Sequence, residues 1–149
     1  MSDEVRLADV TRRNWRAVAR LELAPDQEDL VASNLYSIAQ SKFDPNARPR
    51  AIYAGDTIVG FIMYDVWRED DAMEASIYRF MIDRRYQAKG YGRAALAAAL
   101  AEIRAVPGIA RITISYMPNN PVAKPFYGSF GFVETGLDDD GEMQAELVV

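Results

Sequence analysis

One stretch restricts what this chain can fold into more than any other. Ala75-Ser76-Ile77-Tyr78-Arg79-Phe80-Met81-Ile82-Asp83 is an apolar run of strand character. Gln87-Ala88-Lys89-Gly90-Tyr91-Gly92 is a glycine loop, and Arg93 to Ile103, rich in alanine and leucine, has helical character. A strand feeding a helix through a short loop implies a sheet with that helix packed across it. The junction also has a chemical reading. Glycine lets the backbone come close to a ligand. The first N–H groups of a helix have no internal acceptor, and the helix dipole adds partial positive charge there. These are the requirements for holding a phosphate. An ordinary α/β turn fits the loop equally well, so the choice rests on the rest of the chain.

Composition removes several alternatives. The 149 residues suit one compact domain, and half of them are hydrophobic. No run approaches the roughly 20 apolar residues of a membrane helix. The start, Met1-Ser2-Asp3-Glu4, lacks the apolar stretch of a signal peptide. The expectation is therefore a cytoplasmic protein with no membrane partner. Cysteine and histidine are both absent, which rules out disulfides, thiolate nucleophiles, Ser-His dyads and the usual zinc sites. No metal is expected. A general acid or base must be Tyr, Asp, Glu, Lys, an N-terminal amine or water. The net charge of −5 argues against a nucleic-acid partner and permits a cationic small molecule.

The remaining elements follow from periodicity and breakers. Val5-Arg6-Leu7 is a short strand. Thr11 is a candidate N-cap for a helix carrying Trp15, Val18 and Ala19 on one face. Pro25-Asp26 is expected to open a second helix, in which Leu30, Val31, Leu35 and Ile38 recur at helical spacing. Asp44-Pro45-Asn46 and Arg48-Pro49 end it. Arg50–Ala54 and Thr57–Trp67 flank Gly55-Asp56 as a hairpin, and residues 74–83 form the third strand of that group. After the helix come a strand at Arg111–Tyr116 and a short helix opened by Asn119-Asn120-Pro121. Two final strands, Phe132–Thr135 and Glu142–Val148, lie around Asp138-Asp139-Asp140-Gly141. The predicted order is β-αα-βββ-α-β-α-ββ, an α/β (α+β) fold. Its mixed central sheet holds one parallel pair among antiparallel strands.

This order and two motifs resemble the GNAT superfamily of N-acetyltransferases over nearly the whole chain. Gln87, Gly90 and Gly92 fit that family's loop signature. Asn120, Ala123, Phe126, Tyr127, Gly131 and Phe132 fit its second block. Three shorter strings are similar to bacterial spermine/spermidine (polyamine) acetyltransferases: Val31-Ala32-Ser33-Asn34, Arg79-Phe80-Met81-Ile82-Asp83 and Asp140-Gly141-Glu142. A lone nucleotide-binding loop is disfavoured, because Gly92 is not followed by Lys-Ser/Thr.

The resemblance implies a GNAT acyl-CoA N-acyltransferase fold and acetyl-CoA as co-substrate. Residues of about 9–43 become a helical segment on the acceptor side. Backbone N–H groups of Gln87, Ala88, Lys89, Gly90, Tyr91, Gly92 and Arg93 are implied to hold the pyrophosphate, with Arg84 and Arg85 adding charge or standing as a solvated basic face. Phe80, Met81 and Ile82 would flank the pantetheine arm. Asn120 lies near that arm in the family, or caps the short helix before Pro121. Tyr127 is implied to be the general acid at the leaving sulfur. The family's strand glutamate has no equivalent at Ser76 or Tyr78. The base is then a water relay past one of those two residues, or Glu74. A polyamine needs spaced carboxylates, and the candidates are Glu22, Glu28, Asp65 and Glu142. The expected reaction is direct attack of a primary amine on the thioester. Another small amine, an aminoglycoside, a protein N-terminus, or a catalytically weak acyl-CoA-binding module are the alternatives. A homodimer is compatible with the sequence, which does not fix the oligomeric state.

Overall fold

The structure, a computed structural model, describes residues 4–28 and 30–149. Met1-Ser2-Asp3, read above for its lack of an apolar stretch, lies outside the described residues. The elements are β1 (Val5–Asp9), α1 (Trp15–Ala19), α2 (Asn34–Ser41), β2 (Ala47–Ala54), β3 (Thr57–Glu69), β4 (Ala72–Ile82), α3 (Tyr91–Arg104), β5 (Ile109–Tyr116), α4 (Ala123–Gly128), β6 (Val133–Leu137) and β7 (Met143–Val148), with one-turn 3₁₀ segments at Pro25–Gln27 and Arg84–Tyr86. The seven strands form one sheet in the order β1-β2-β3-β4-β5-β7-β6. Only β4 and β5 run parallel, as a crossover through α3 requires. This is the mixed sheet and element order expected from the sequence.

Each face of the sheet carries its own core. On one side α3 buries Ala95, Leu96, Ala99, Leu100 and Ile103 against Ile62, Tyr64, Ile77, Ile112 and Ile114. Those five helix positions form a single stripe at 3.6-residue spacing, and the alanines let helix and sheet approach closely. On the other side α1 and α2 place Val18 and Ile38 over Ala51, Phe61, Met63 and Met81. β3 is therefore buried on both faces, with Phe61, Ile62 and Met63 fully enclosed, so its sequence is a continuous apolar run rather than an alternation.

The N-terminal segment departs from expectation. The helix expected to open at Pro25-Asp26 begins at Asn34 instead, where Ser33 Oγ accepts from the Tyr36 N–H. Gln27 stays in a 3₁₀ turn because its carboxamide is engaged elsewhere: its Oε1 accepts from the Gln87 side chain at 2.8 Å. Leu30, Val31 and Ala32 remain irregular and line a cleft. Thr11 caps a turn, accepting from the Arg13 N–H, and the regular helix starts at Trp15. At α4 the N-cap is Val122. Asn120 instead closes an Asx turn, its Oδ1 accepting from the Val122 N–H.

Candidate active site

Two strands that begin as neighbours and then part create the site. β4 and β5 pair from Met73–Ile109 to Ile77–Ile114 and no further. β4 continues to Ile82, so its edge toward β5 is unpaired from Tyr78 onward. The cause is a bulge. Met63 pairs with Arg79 and Tyr64 with Ile77, leaving Tyr78 as the extra residue of β4. A bulge bends and twists its strand, here at the point where the parallel pairing stops. The opening lies beyond the C-terminal ends of the parallel strands, where open α/β sheets bind ligands.

A cleft of about 440 Å³ occupies this opening. β4 contributes Tyr78, Arg79 and Phe80, β5 contributes Ser115 and Tyr116, and the residues around α4 contribute Asn120 and Tyr127. Glu28 and Glu142 line the same cleft from the N-terminal segment and from the start of the β6–β7 return. The other two acceptor candidates are placed elsewhere. Glu22 is exposed, is paired with Arg84 at 3.2 Å and lines a neighbouring hollow. Asp65 accepts a hydrogen bond from the Tyr78 hydroxyl at 2.9 Å and sits behind that residue. Glu74 does not reach the cleft. Its carboxylate is held by Arg111 at 2.8 Å in a separate hollow with Trp67 and Glu146. Ser76 does not line the cleft either.

The glycine loop lies at the open end of β4. Ala88 and Gly90 have positive φ, 62° and 85°. Backbone that alternates in this way turns successive N–H groups inward and forms an anion-binding concavity. Gly90 is the N-cap of α3, and no side chain caps the helix. The first bond inside the helix is from the Ala94 N–H to the Gly90 carbonyl, at 3.2 Å, which leaves the N–H groups of Tyr91, Gly92 and Arg93 ahead of it. A Cβ added at Gly90 would meet nothing within 4 Å, and one at Gly92 would make only ordinary contact with Ile82 at 3.7 Å. The protein's own packing therefore leaves space in front of this helix end, as a bound pyrophosphate requires.

Side chains fix the loop without filling that space. Gln87 Nε2 donates to the Ile82 carbonyl at 2.9 Å as well as to Gln27. Asp83 is buried and accepts from the Glu22 and Arg85 N–H groups and from the Arg85 guanidinium. Burial alone would raise its pKa, but these hydrogen bonds outweigh burial and hold it below the ordinary carboxylate value. Arg84 and Arg85 are thus spoken for by Glu22 and Asp83. Arg93 donates to Ser129 Oγ and lies over the Phe126 and Phe130 rings, tying α3 to α4. Among the described residues Lys89 makes no ion pair.

Three tyrosines line the cleft. Tyr78 donates to Asp65, and Tyr116 donates to Glu134 at 2.7 Å. Tyr127 stacks on Tyr116 with centroids 5.3 Å apart. Its hydroxyl has no hydrogen-bond partner among the described residues, and burial pushes its pKa up, with Tyr116 adding to the effect. Arg79 is the residue that sequence reasoning quoted without a role. It donates to the Tyr78 carbonyl and to Gln40 Oε1 of α2, and its Nε is buried without a partner. Tyr116 was also missed, although an aromatic ending the second strand of a parallel pair was a usable signal.

Comparison with known proteins settles the family. Residues 12–132 match the model of the acetyltransferase (GNAT) family. The chain belongs to that family. It is 31% identical over 143 residues to a spermine/spermidine N(1)-acetyltransferase of Bacillus subtilis, covering 93% of this chain and 94% of that protein. The fold is shared with the spermidine N-acetyltransferase of Vibrio cholerae solved with CoA and spermine (TM-score 0.78, 17% identity, 97% and 95% of the two chains). It is shared equally with an aminoglycoside acetyltransferase solved with coenzyme A (TM-score 0.79, 16% identity, 97% and 94%). This GNAT protein is an acetyl-CoA-dependent N-acetyltransferase. Fold likeness alone does not choose the acceptor, because those two structures resemble it equally. Among the described residues no Asp/Glu group is arranged to hold a metal ion, and no helix is long and apolar enough to cross a membrane.

Proposed function

We propose that this enzyme acetylates a primary amine of a polyamine such as spermidine or spermine, which attacks directly in a ternary complex. The observation that carries this reading is the placement of Glu28 and Glu142 along one cleft with Tyr127 and the unpaired edge of β4. Two carboxylates along a groove suit a chain with spaced positive charges. Burial pushes the Glu142 pKa up, Asp138 adds to this, and Arg79 opposes it. A bound ammonium would reverse the shift. The identity to the Bacillus relative points the same way.

Acetyl-CoA supplies the activated acetyl thioester. The backbone at the open edge of Tyr78–Ile82, beside Phe80, Met81 and Ile82, suits the pantetheine amides. The N–H groups from Gln87 to Arg93 suit the pyrophosphate, and Asn120, which lines the cleft, suits the cofactor arm. Tyr127 fits the general acid, as the one cleft tyrosine whose proton is not committed to a carboxylate. Its raised pKa does not disqualify it, because the same desolvation raises a leaving thiolate too. Glu74, bonded to Arg111, takes no part in this reading.

The test is charge removal at the acceptor end. Glu28→Gln and Glu142→Gln should each lower kcat/KM for spermine by about 3–10-fold, the range of one partly screened ion pair. Turnover of an uncharged-tail monoamine should stay near wild type. Equal effects on both acceptors would remove the polyamine assignment.

A further inference from the structure

An amine bound as an ammonium must lose a proton before it can attack, and Glu74, paired with Arg111 in a separate hollow, does not line the cleft. We propose that Tyr78 and Asp65 form the proton acceptor, with Tyr78 in contact with the acceptor amine or its water and Asp65 acting through Tyr78. The inference rests on acetyl transfer to an amine and holds for any amine acceptor.

The geometry is built by the β4 bulge. Tyr78 is the unpaired bulge residue and lines the cleft. Its hydroxyl donates to Asp65 Oδ1 at 2.9 Å. The Tyr78 side chain packs against the core beneath α1 and α2, and Arg79, which donates to the Tyr78 carbonyl, also reaches Gln40 on α2. The Arg79 guanidinium lies 5.0 Å from the Tyr78 ring centre. The charged groups around the pair are Asp44 after α2, Arg48 on β2 and Arg79 on β4.

The proton balance closes without a further reagent. One N–H bond of the ammonium breaks and its proton moves to the phenol oxygen of Tyr78. The phenol's own proton passes along the existing hydrogen bond to Asp65 Oδ1. The nitrogen keeps the electron pair it needs for attack, Tyr78 stays neutral, and Asp65 is left as the acid. Asp44, partly exposed beside Asp65, provides the route back to solvent. Burial raises the Asp65 pKa, Tyr78 opposes this and Asp44 reinforces it, so the carboxyl is a better proton acceptor than an exposed aspartate.

A rival pair is Tyr116, which lines the cleft, and Glu134, which lines a neighbouring hollow. Glu134 is engaged by Lys124 at 3.3 Å as well as by Tyr116. The Tyr116 hydrogen bond and Lys124 hold its pKa below the ordinary value. A carboxylate stabilised in that way is the poorer base. It also lies behind Tyr116, beside Tyr127, at the end suited to proton donation.

The experiment compares wild type, Tyr78→Phe and Asp65→Asn on primary amines of graded basicity, with CoA affinity and the thermal midpoint measured in parallel. Asp65→Asn retains an oxygen that accepts the Tyr78 hydrogen bond and loses only the ability to take the proton. Both variants should lose about 10²-fold in kcat/KM with strongly basic amines. The loss should shrink toward none with amines already neutral at the assay pH, and the acid limb of the pH profile should move upward. CoA affinity and the midpoint should stay near wild type. A loss independent of amine basicity would mark the pair as structural and overturn the proposal, as would wild-type kinetics in either variant. Failure with spermine alone, with other amines turned over, would refute the polyamine reading and leave the relay to be judged on those amines. Absence of wild-type turnover with every amine would overturn both.

Discussion

Replacing Gly90 separates the two demands placed on that position, backbone conformation and room for phosphate. Its φ of 85° is left-handed, and a Cβ there would meet no neighbouring atom within 4 Å. Strain should therefore come from the backbone alone. Alanine in this conformation costs about 1–2 kcal/mol, which at about 2–4 °C per kcal/mol lowers the midpoint of a chain this size by about 2–8 °C. Asparagine and aspartate tolerate the left-handed region better, so Gly90→Asn and Gly90→Asp should lose less stability than Gly90→Ala. Ligand affinity should rank differently. A carboxylate about 5 Å from a doubly charged pyrophosphate, at an effective dielectric constant of about 60, costs about 2 kcal/mol, or about 30-fold in Kd for CoA. Alanine and asparagine add no charge and should lose far less. Calorimetric titration of CoA and a thermal melt of each variant give both rankings. Turnover of acetyl-pantetheine, which lacks the pyrophosphate, should be insensitive to the aspartate. If Gly90→Asp binds CoA like Gly90→Asn, or if acetyl-pantetheine and acetyl-CoA suffer alike, the loop does not hold the pyrophosphate.

Three further outcomes follow from named contacts. Tyr127→Phe should lower kcat by about 10²-fold with CoA affinity unchanged; wild-type kcat would remove its role as acid. Asp83 has a depressed pKa, so its contribution to stability is complete above the unfolded-state value and is lost as pH falls through the lower native value. Asp83→Asn should flatten the acid side of a stability–pH curve, and an unchanged curve would contradict that assignment. Ala88, at φ 62°, carries left-handed strain that glycine would release; Ala88→Gly should stabilise the fold by about 0.5–1 kcal/mol in a urea titration, and a loss of stability would show that the strain is not there.

The parts legible in the sequence were those carried by local periodicity and backbone chemistry. The α3 stripe, the β2–β3 turn and the strand–loop–helix junction each follow from residues close together in the chain. The late start of α2 was hidden because Gln27 is recruited by Gln87, 60 residues away. Helical spacing through Leu30 and Val31 could not register that tertiary bond. The bulge at Tyr78 was invisible for the same reason, since it is a mismatch in register between two strands rather than a property of either. Where the Glu74 carboxylate lies was not legible from its strand alone: it pairs with Arg111 and lines a hollow apart from the cleft. Its Arg111 partner lies on β5 and becomes a neighbour only through the parallel crossover.

The most direct test of the account is release of free CoA thiol from acetyl-CoA by the purified protein, with spermine, spermidine, a diamine, a monoamine, an aminoglycoside and a peptide with a free N-terminus as acceptors. The account predicts turnover and a monoacetylated product with spermine and spermidine, at a kcat/KM about tenfold or more above the monoamine. A preference for the aminoglycoside or the peptide would contradict the polyamine assignment, and tight CoA binding with no thiol release for any amine would contradict acetyl transfer itself.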